Sequence, residues 1–134
     1  MKIAYLVDTD WIIHYLLGAK PIRKELLRLR PEGLAISIVS LAEVYEGVLY
    51  SRDPETSGKG LAKLLKNISI LGLDEDICRV FAKERGKLGN QGNLIGDFDL
   101  LIASTCLLHG LTLLTNIVRH SKRIDGLRLI SMTV

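Results

Sequence analysis

The sequence predicts an α/β fold, a central parallel sheet covered by helices. Three observations predict it. Short apolar runs at residues 3–7 (IAYLV), 34–38 (LAISI), 68–72 (ISILG), 111–115 (LTLLT) and 127–132 (LRLISM) have the length and composition of buried strands. The stretches between them carry helical spacing. Strands that alternate with helices pair in parallel, because each crossover returns the chain in the same direction.

The first run stops at Asp8. A short helix over about 10–17 follows and can end at Gly18. Pro21 suits the first turn of a helix over about 22–30, where Ile22, Leu26 and Leu29 share a face. Residues 40–50 put Leu41, Val44, Tyr45, Val48 and Leu49 on one core-facing stripe. SRDPETSGKG reads as a turn-rich break, with a helix from about 58 to 67 after it. Asp74 can cap a helix that runs to about residue 88. GKLGNQGNLIGD, rich in Gly and Asn, reads as a flexible loop. A helix over 97–109 then ends at Gly110, and residues 117–125 connect to the last strand. With 134 residues, no internal repeat and no linker, the expectation is one domain over 1–134.

Composition excludes several classes. No apolar run is long enough to span a bilayer, and Asp8 and Asp10 interrupt the first apolar stretch before it could serve as a secretory signal. The expectation is a cytoplasmic protein with no membrane partner. Two cysteines, Cys78 and Cys106, are too few for a disulfide framework or a Cys-rich zinc site and read as buried thiols. The net charge of +3 mildly favours a polyanionic partner. The phosphate loop, dinucleotide and nucleophile-elbow motifs are absent from the sequence.

The acidic positions carry the chemistry. Ligands of parallel α/β sheets bind beyond the carboxyl ends of the strands, which is where Asp8 falls. Asp8 is either a ligand at that rim or a helix cap; Asp10, closer to the helical pattern, fits the cap better. Thr9 offers a hydroxyl to orient Asp8. Glu43 lies opposite the apolar stripe, where it is solvated, closes a capping box with Ser40, or reaches another acid at the rim. Asp97 suits the cap of the late helix, leaving Asp99 in its first turn free to point elsewhere. Carboxylates this close resist joint ionisation unless a cation sits among them, and hard oxygen donors select Mg²⁺ or Mn²⁺. The dispersed His14, His109 and His120 read as surface or half-buried residues rather than ligands. Among basic groups, Arg23, Lys24, Arg28 and Arg30 read as a solvated helix face, whereas Arg119, Lys122 and Arg123 lie nearer the expected rim and suit a phosphate backbone.

Taken in order, L-V-D-T-D, S-L-A-E-V-Y-E-G, D-F-D-L-L-I-A-S and L-L-H-G-L-T-L-L-T-N followed by R-I-D-G-L resemble the PIN-domain family, in particular its VapC-type toxins. The resemblance covers nearly the whole chain. It implies a three-layer α/β/α PIN-like domain with a central parallel sheet, and a Mg²⁺- or Mn²⁺-dependent endoribonuclease. Asp8, Glu43 and Asp99 match the family's acidic ligands, and Asp97 matches an additional acidic position. The slot two residues after Thr115, often Asp or Asn in the family, is Ile117 here; Asn116 beside it is the candidate substitute. Thr9 and Thr115 would support the ligands. The resemblance also implies an RNA substrate, a VapB-like antitoxin and a homodimer. The alternatives are a non-catalytic PIN-like module that binds RNA or protein, and a DNA or flap-type nuclease using the same metal chemistry.

Overall fold

A computed structural model describes residues 2–133. In chain order the elements are β1 (Tyr5–Val7), α1 (Thr9–Leu16), α2 (Lys20–Leu29), a 3-10 turn (Arg30–Glu32), β2 (Leu34–Ser37), α3 (Ile38–Leu49), α4 (Pro54–Leu65), β3 (Ser69–Leu71), α5 (Glu75–Asn90), α6 (Asp97–His109), β4 (Thr112–Leu114), α7 (Val118–Ser121) and β5 (Arg128–Ile130). All strand pairings are parallel, in the spatial order β3-β2-β1-β4-β5.

The strands alternate faces residue by residue, and this makes the three layers. Val7, Leu34, Ile36 and Leu114 pack with Trp11 and Ile12 of α1, Ile22 and Leu26 of α2, Leu41 and Val44 of α3, and Leu61 and Leu64 of α4. Their neighbours Leu6, Ala35 and Leu113 face the other way, against Ile102 and Cys106 of α6. A third cluster joins α5 to α6 through Leu88, Leu100 and Ala103. The entry to β2 needs glycine: Gly33 has φ +96°, and a Cβ there would collide with the Lys2 carbonyl.

Several local readings change. α3 starts at Ile38, because the Ser37 hydroxyl accepts from Val39 N at 3.1 Å. The Ser40–Glu43 capping box therefore does not form, and Ser40 is a buried interior residue of the helix. The stripe is also narrower: Leu41, Val44 and Val48 are buried, whereas Tyr45 and Leu49 are exposed. α4 begins within the supposed break, capped by Asp53, whose carboxylate accepts from Thr56 N, with Pro54 in the first turn where its missing N–H costs nothing. α5 continues through Gly86 and Gly89 to Asn90, since packing of Leu88 against α6 outweighs glycine's weak helix propensity. Only residues 91–96 remain loop. Cys106 is buried, and burial pushes its thiol up to about 12; Cys78 is exposed, contrary to expectation. Arg23 and Arg28 are occupied locally, by the Tyr15 carbonyl and by Glu25.

Candidate active site at the switch point of the sheet

From β1 the chain steps outward through β2 to β3, then returns to place β4 on the other side of β1. The strand order reverses between β1 and β4. A crevice opens beyond the carboxyl ends of strands at such a point. Asp8 follows β1 there, and its backbone N–H donates to Leu114 O at the end of β4 (3.0 Å).

Asp8 is both a cap and a rim residue. It is the N-cap of α1, with Oδ1 accepting from Thr9 N at 2.8 Å, and it is buried. Burial raises its pKa to about 6; the charges of Asp10 and Asp99 add to this, while Thr115 and the Thr9 N–H oppose it. Asp10, released from the cap, turns to the β4 end: Oδ2 accepts from Asn116 N at 2.8 Å and Oδ1 from the Thr115 hydroxyl at 3.3 Å.

Thr9 brings in the third acid. Its hydroxyl donates to Glu43 Oε1 at 2.8 Å, tying α3 to the start of α1. Glu43 is half-buried, whereas Glu46 on the same helix is exposed. Asp99, in the first turn of α6, lines a small cleft together with Asp8, Ile117 and His120. The cleft's free volume of about 10 Å³ suits one water or ion and no organic cofactor. His120 Nδ1 lies 3.4 Å from Asp99 Oδ2.

Two predicted site residues are engaged elsewhere. Asp97 does not cap α6, whose N-cap is Gly96; it forms a salt bridge with Arg85 of α5 and its side chain is 64% exposed. Asn116 is engaged: Oδ1 accepts from Trp11 Nε1 (3.0 Å) and Met132 N (2.8 Å), and Nδ2 donates to Met132 O (2.7 Å). It has no lone pair pointed at a cation and braces α1, β4 and the carboxyl-terminal segment instead. Arg119 and Lys122 are exposed on and just after α7, flanking the cleft-lining His120 and Ser121, and Arg123 donates to the Leu94 carbonyl at 3.2 Å.

Asp10 and His120 are the neighbours that sequence reasoning missed. The D-T-D spacing held a signal for Asp10, but one cap was available for two aspartates, and a contact to residues 115 and 116 decided between them. His120 carried no local signal.

The donor set suits a hard cation. Among the described residues no Lys or Arg pairs with Asp8, Asp10 or Glu43, so a buried carboxylate with two acidic neighbours stands without a positive partner. As they stand, no three acidic, His or Cys side chains among those residues lie close enough to enclose an ion by themselves. An ion there would keep several waters and take one or two carboxylates directly, which is how Mg²⁺ is usually held.

A solvated Asp97–Arg85 bridge is worth at most about 1 kcal/mol. Asp97→Asn is accordingly expected to lower stability by no more than that in a urea melt, and to leave cleavage rates within about threefold of the parent. A hundredfold loss of cleavage would return Asp97 to the site.

An all-parallel α/β sheet with carboxylates gathered over its switch point defines the class: an α/β protein with an acidic cleft at the carboxyl ends of its strands. The chain belongs to the PIN domain family, whose model matches residues 5–117. It is 32% identical over 127 residues to Ribonuclease VapC1 of Haemophilus influenzae, covering 92% of this chain and 94% of that one. It is 28% identical over 124 residues to the tRNA(fMet)-specific endonuclease VapC of Shigella flexneri, covering 92% and 94%. A chain of the crystal structure of VapBC2 from Rickettsia felis bound to a DNA fragment from the promoter superposes with a TM-score of 0.91 at 28% identity, covering 98% of this chain and 100% of that one. No helix among the described residues is long and apolar enough to cross a membrane.

Proposed function

We propose that this chain is a Mg²⁺- or Mn²⁺-dependent endoribonuclease, the toxin of a type II toxin–antitoxin pair. The observation that carries this reading is the buried Asp8 carboxylate, without a cationic partner, at the switch point beside Asp10 and Asp99. The relatives named as ribonucleases and the neighbour solved as a VapBC assembly support the same reading.

Asp8 and Asp99 would hold the ion, with Glu43 alongside. A divalent ion bound there supplies Lewis acidity toward water and toward phosphoryl oxygens. Glu43 spends Oε1 on the Thr9 hydroxyl, which holds the carboxylate in place and leaves Oε2 to orient a water and take its proton. Asp10 serves as a brace: its bonds to Thr115 and Asn116 keep the β4 end against α1. Arg119 and Lys122 would meet the RNA backbone at the mouth, giving salt-dependent affinity with little sequence preference.

The partner is a VapB-like antitoxin, and the working unit a homodimer in the cytoplasm. Leu17, Tyr45, Leu49 and Tyr50, 53–80% exposed, are large apolar groups available for such contacts.

The decisive assay uses protein freed of any co-purifying partner and matched RNA and DNA oligonucleotides. RNA is expected to be cut with Mg²⁺ or Mn²⁺, and EDTA is expected to abolish cutting. Joint replacement Arg119→Ala with Lys122→Ala should reduce the slope of log affinity against log salt by about 1–2. Equal RNA cleavage with EDTA and with metal overturns the mechanism. Cleavage of DNA alone, or metal binding without any cleavage, overturns the ribonuclease assignment.

A further inference from the structure

We propose that His120 contributes an imidazole nitrogen to the cation held by Asp8 and Asp99, and so biases this site toward first-row transition ions over Mg²⁺. This rests on the reading of the acidic cleft given above. His120 is the nitrogen donor that lines the cleft with those two carboxylates.

Its position is built, not incidental. α7 is a single turn whose Ser121 hydroxyl donates to the Ile117 carbonyl at 3.2 Å. Ser121 and Ile124 are buried in the cleft wall, while Arg119 and Lys122 point to solvent. Arg123 fastens the following residues to the Leu94 carbonyl at the far lip. His120 is thereby held over the first turn of α6, with its side chain 28% exposed.

The spacing fits a shared ion. Nδ1 and Asp99 Oδ2 are 3.4 Å apart, at the outer end of hydrogen-bond range. Adjacent donors on one ion with bonds of about 2.1 Å lie about 3 Å apart, so this nitrogen–oxygen pair would suit an ion that fills the rest of its shell largely with water. Carboxylates and waters alone are a Mg²⁺ environment; an imidazole among them favours ions later in the first transition row, and Mn²⁺ over Mg²⁺.

Electron spin-echo spectroscopy of Mn²⁺ added to the partner-free protein reads this without any cleavage assay. Modulation from a directly coordinated ¹⁴N is expected, changing to ¹⁵N when the protein is labelled at histidine and vanishing in His120→Asn. In calorimetric titrations His120→Asn should weaken Mn²⁺ about tenfold or more and Mg²⁺ by less than about threefold. His120→Asp should recover Mg²⁺ binding and narrow the gap between the ions. Mn²⁺ bound in an Asp8-dependent way without nitrogen modulation overturns the role of His120 while leaving the acidic site standing. Mn²⁺ binding that ignores Asp8→Asn overturns the site itself, and the inference with it. The spectrum of the parent protein decides even if the His120 variants do not fold.

Discussion

Asp8→Asn is expected to abolish RNA cleavage and, at the same time, to make the metal-free protein more stable. The two effects share one cause. Asp8 is a carboxylate buried beside Asp10 and Asp99, and its folded pKa of about 6 lies above its ordinary value of 3.8. A charged group that the fold disfavours by about two pKa units costs up to about 3 kcal/mol at neutral pH. Asparagine removes that cost and still accepts from Thr9 N, so the cap of α1 survives. It also removes the charge of a proposed metal ligand, for which we expect a loss of cleavage of about a thousandfold or more. Between pH 4 and 6 the folded protein binds more protons at Asp8 than the unfolded chain does. The contribution of Asp8 to stability is therefore neutral below pH 4, becomes destabilising as pH rises through 6, and stays level above it. Subtracting the urea-melt stability of Asp8→Asn from that of the parent across pH 4–8 isolates this term. Saturating Mn²⁺ should raise the melting temperature of the parent and leave the variant unmoved. A variant that is less stable than the metal-free parent at pH 7 and still cleaves RNA would contradict both halves.

The second large effect is structural. Asn116→Ala is expected to cost about 3–5 kcal/mol, a substantial part of the marginal stability of a chain this size. The side chain makes three hydrogen bonds, to Trp11 Nε1, Met132 N and Met132 O. Trp11 is fully buried, so its indole N–H would be stranded without water, and each stranded group costs about 1–3 kcal/mol. The brace also holds the residue whose backbone N–H fixes Asp10. The melting temperature should fall by about 10 °C or more. Asn116→Asp should not rescue it, because a carboxylate cannot donate to the Met132 carbonyl and would set a negative charge against that carbonyl oxygen. A fall of less than about 2 °C for Asn116→Ala would show that the brace is not what holds the tail to the sheet.

How much of the molecule was legible beforehand follows from the range of each interaction. Strands at residues 5–7, 34–37, 69–71, 112–114 and 128–130 lie within the apolar runs that announce them, because burial on both faces writes itself into consecutive residues. Asp74 before α5 and Gly110 after α6 were readable for the same reason: a cap or a left-handed stop acts on its nearest neighbours. Misreadings arose where a local signal was overridden. Ser37, within the run read as strand, caps α3 ahead of Ser40, and packing of α5 on α6 carries a helix through glycines that alone suggest a loop.

What the chain determined by itself was the parallel α/β order, the arrival of Asp8 at a strand end and a set of acids suited to a hard cation. Only the tertiary structure decided which acids meet. Glu43 joins Asp8 through Thr9, Asp10 turns to Thr115 and Asn116, Asp97 goes to Arg85, and His120 comes down beside Asp99. These partners are separated by 12 to 106 residues along the chain. Helical and strand periodicities report which face of an element is buried, whereas the pairing of one polar side chain with another depends on where the crossovers bring those faces together.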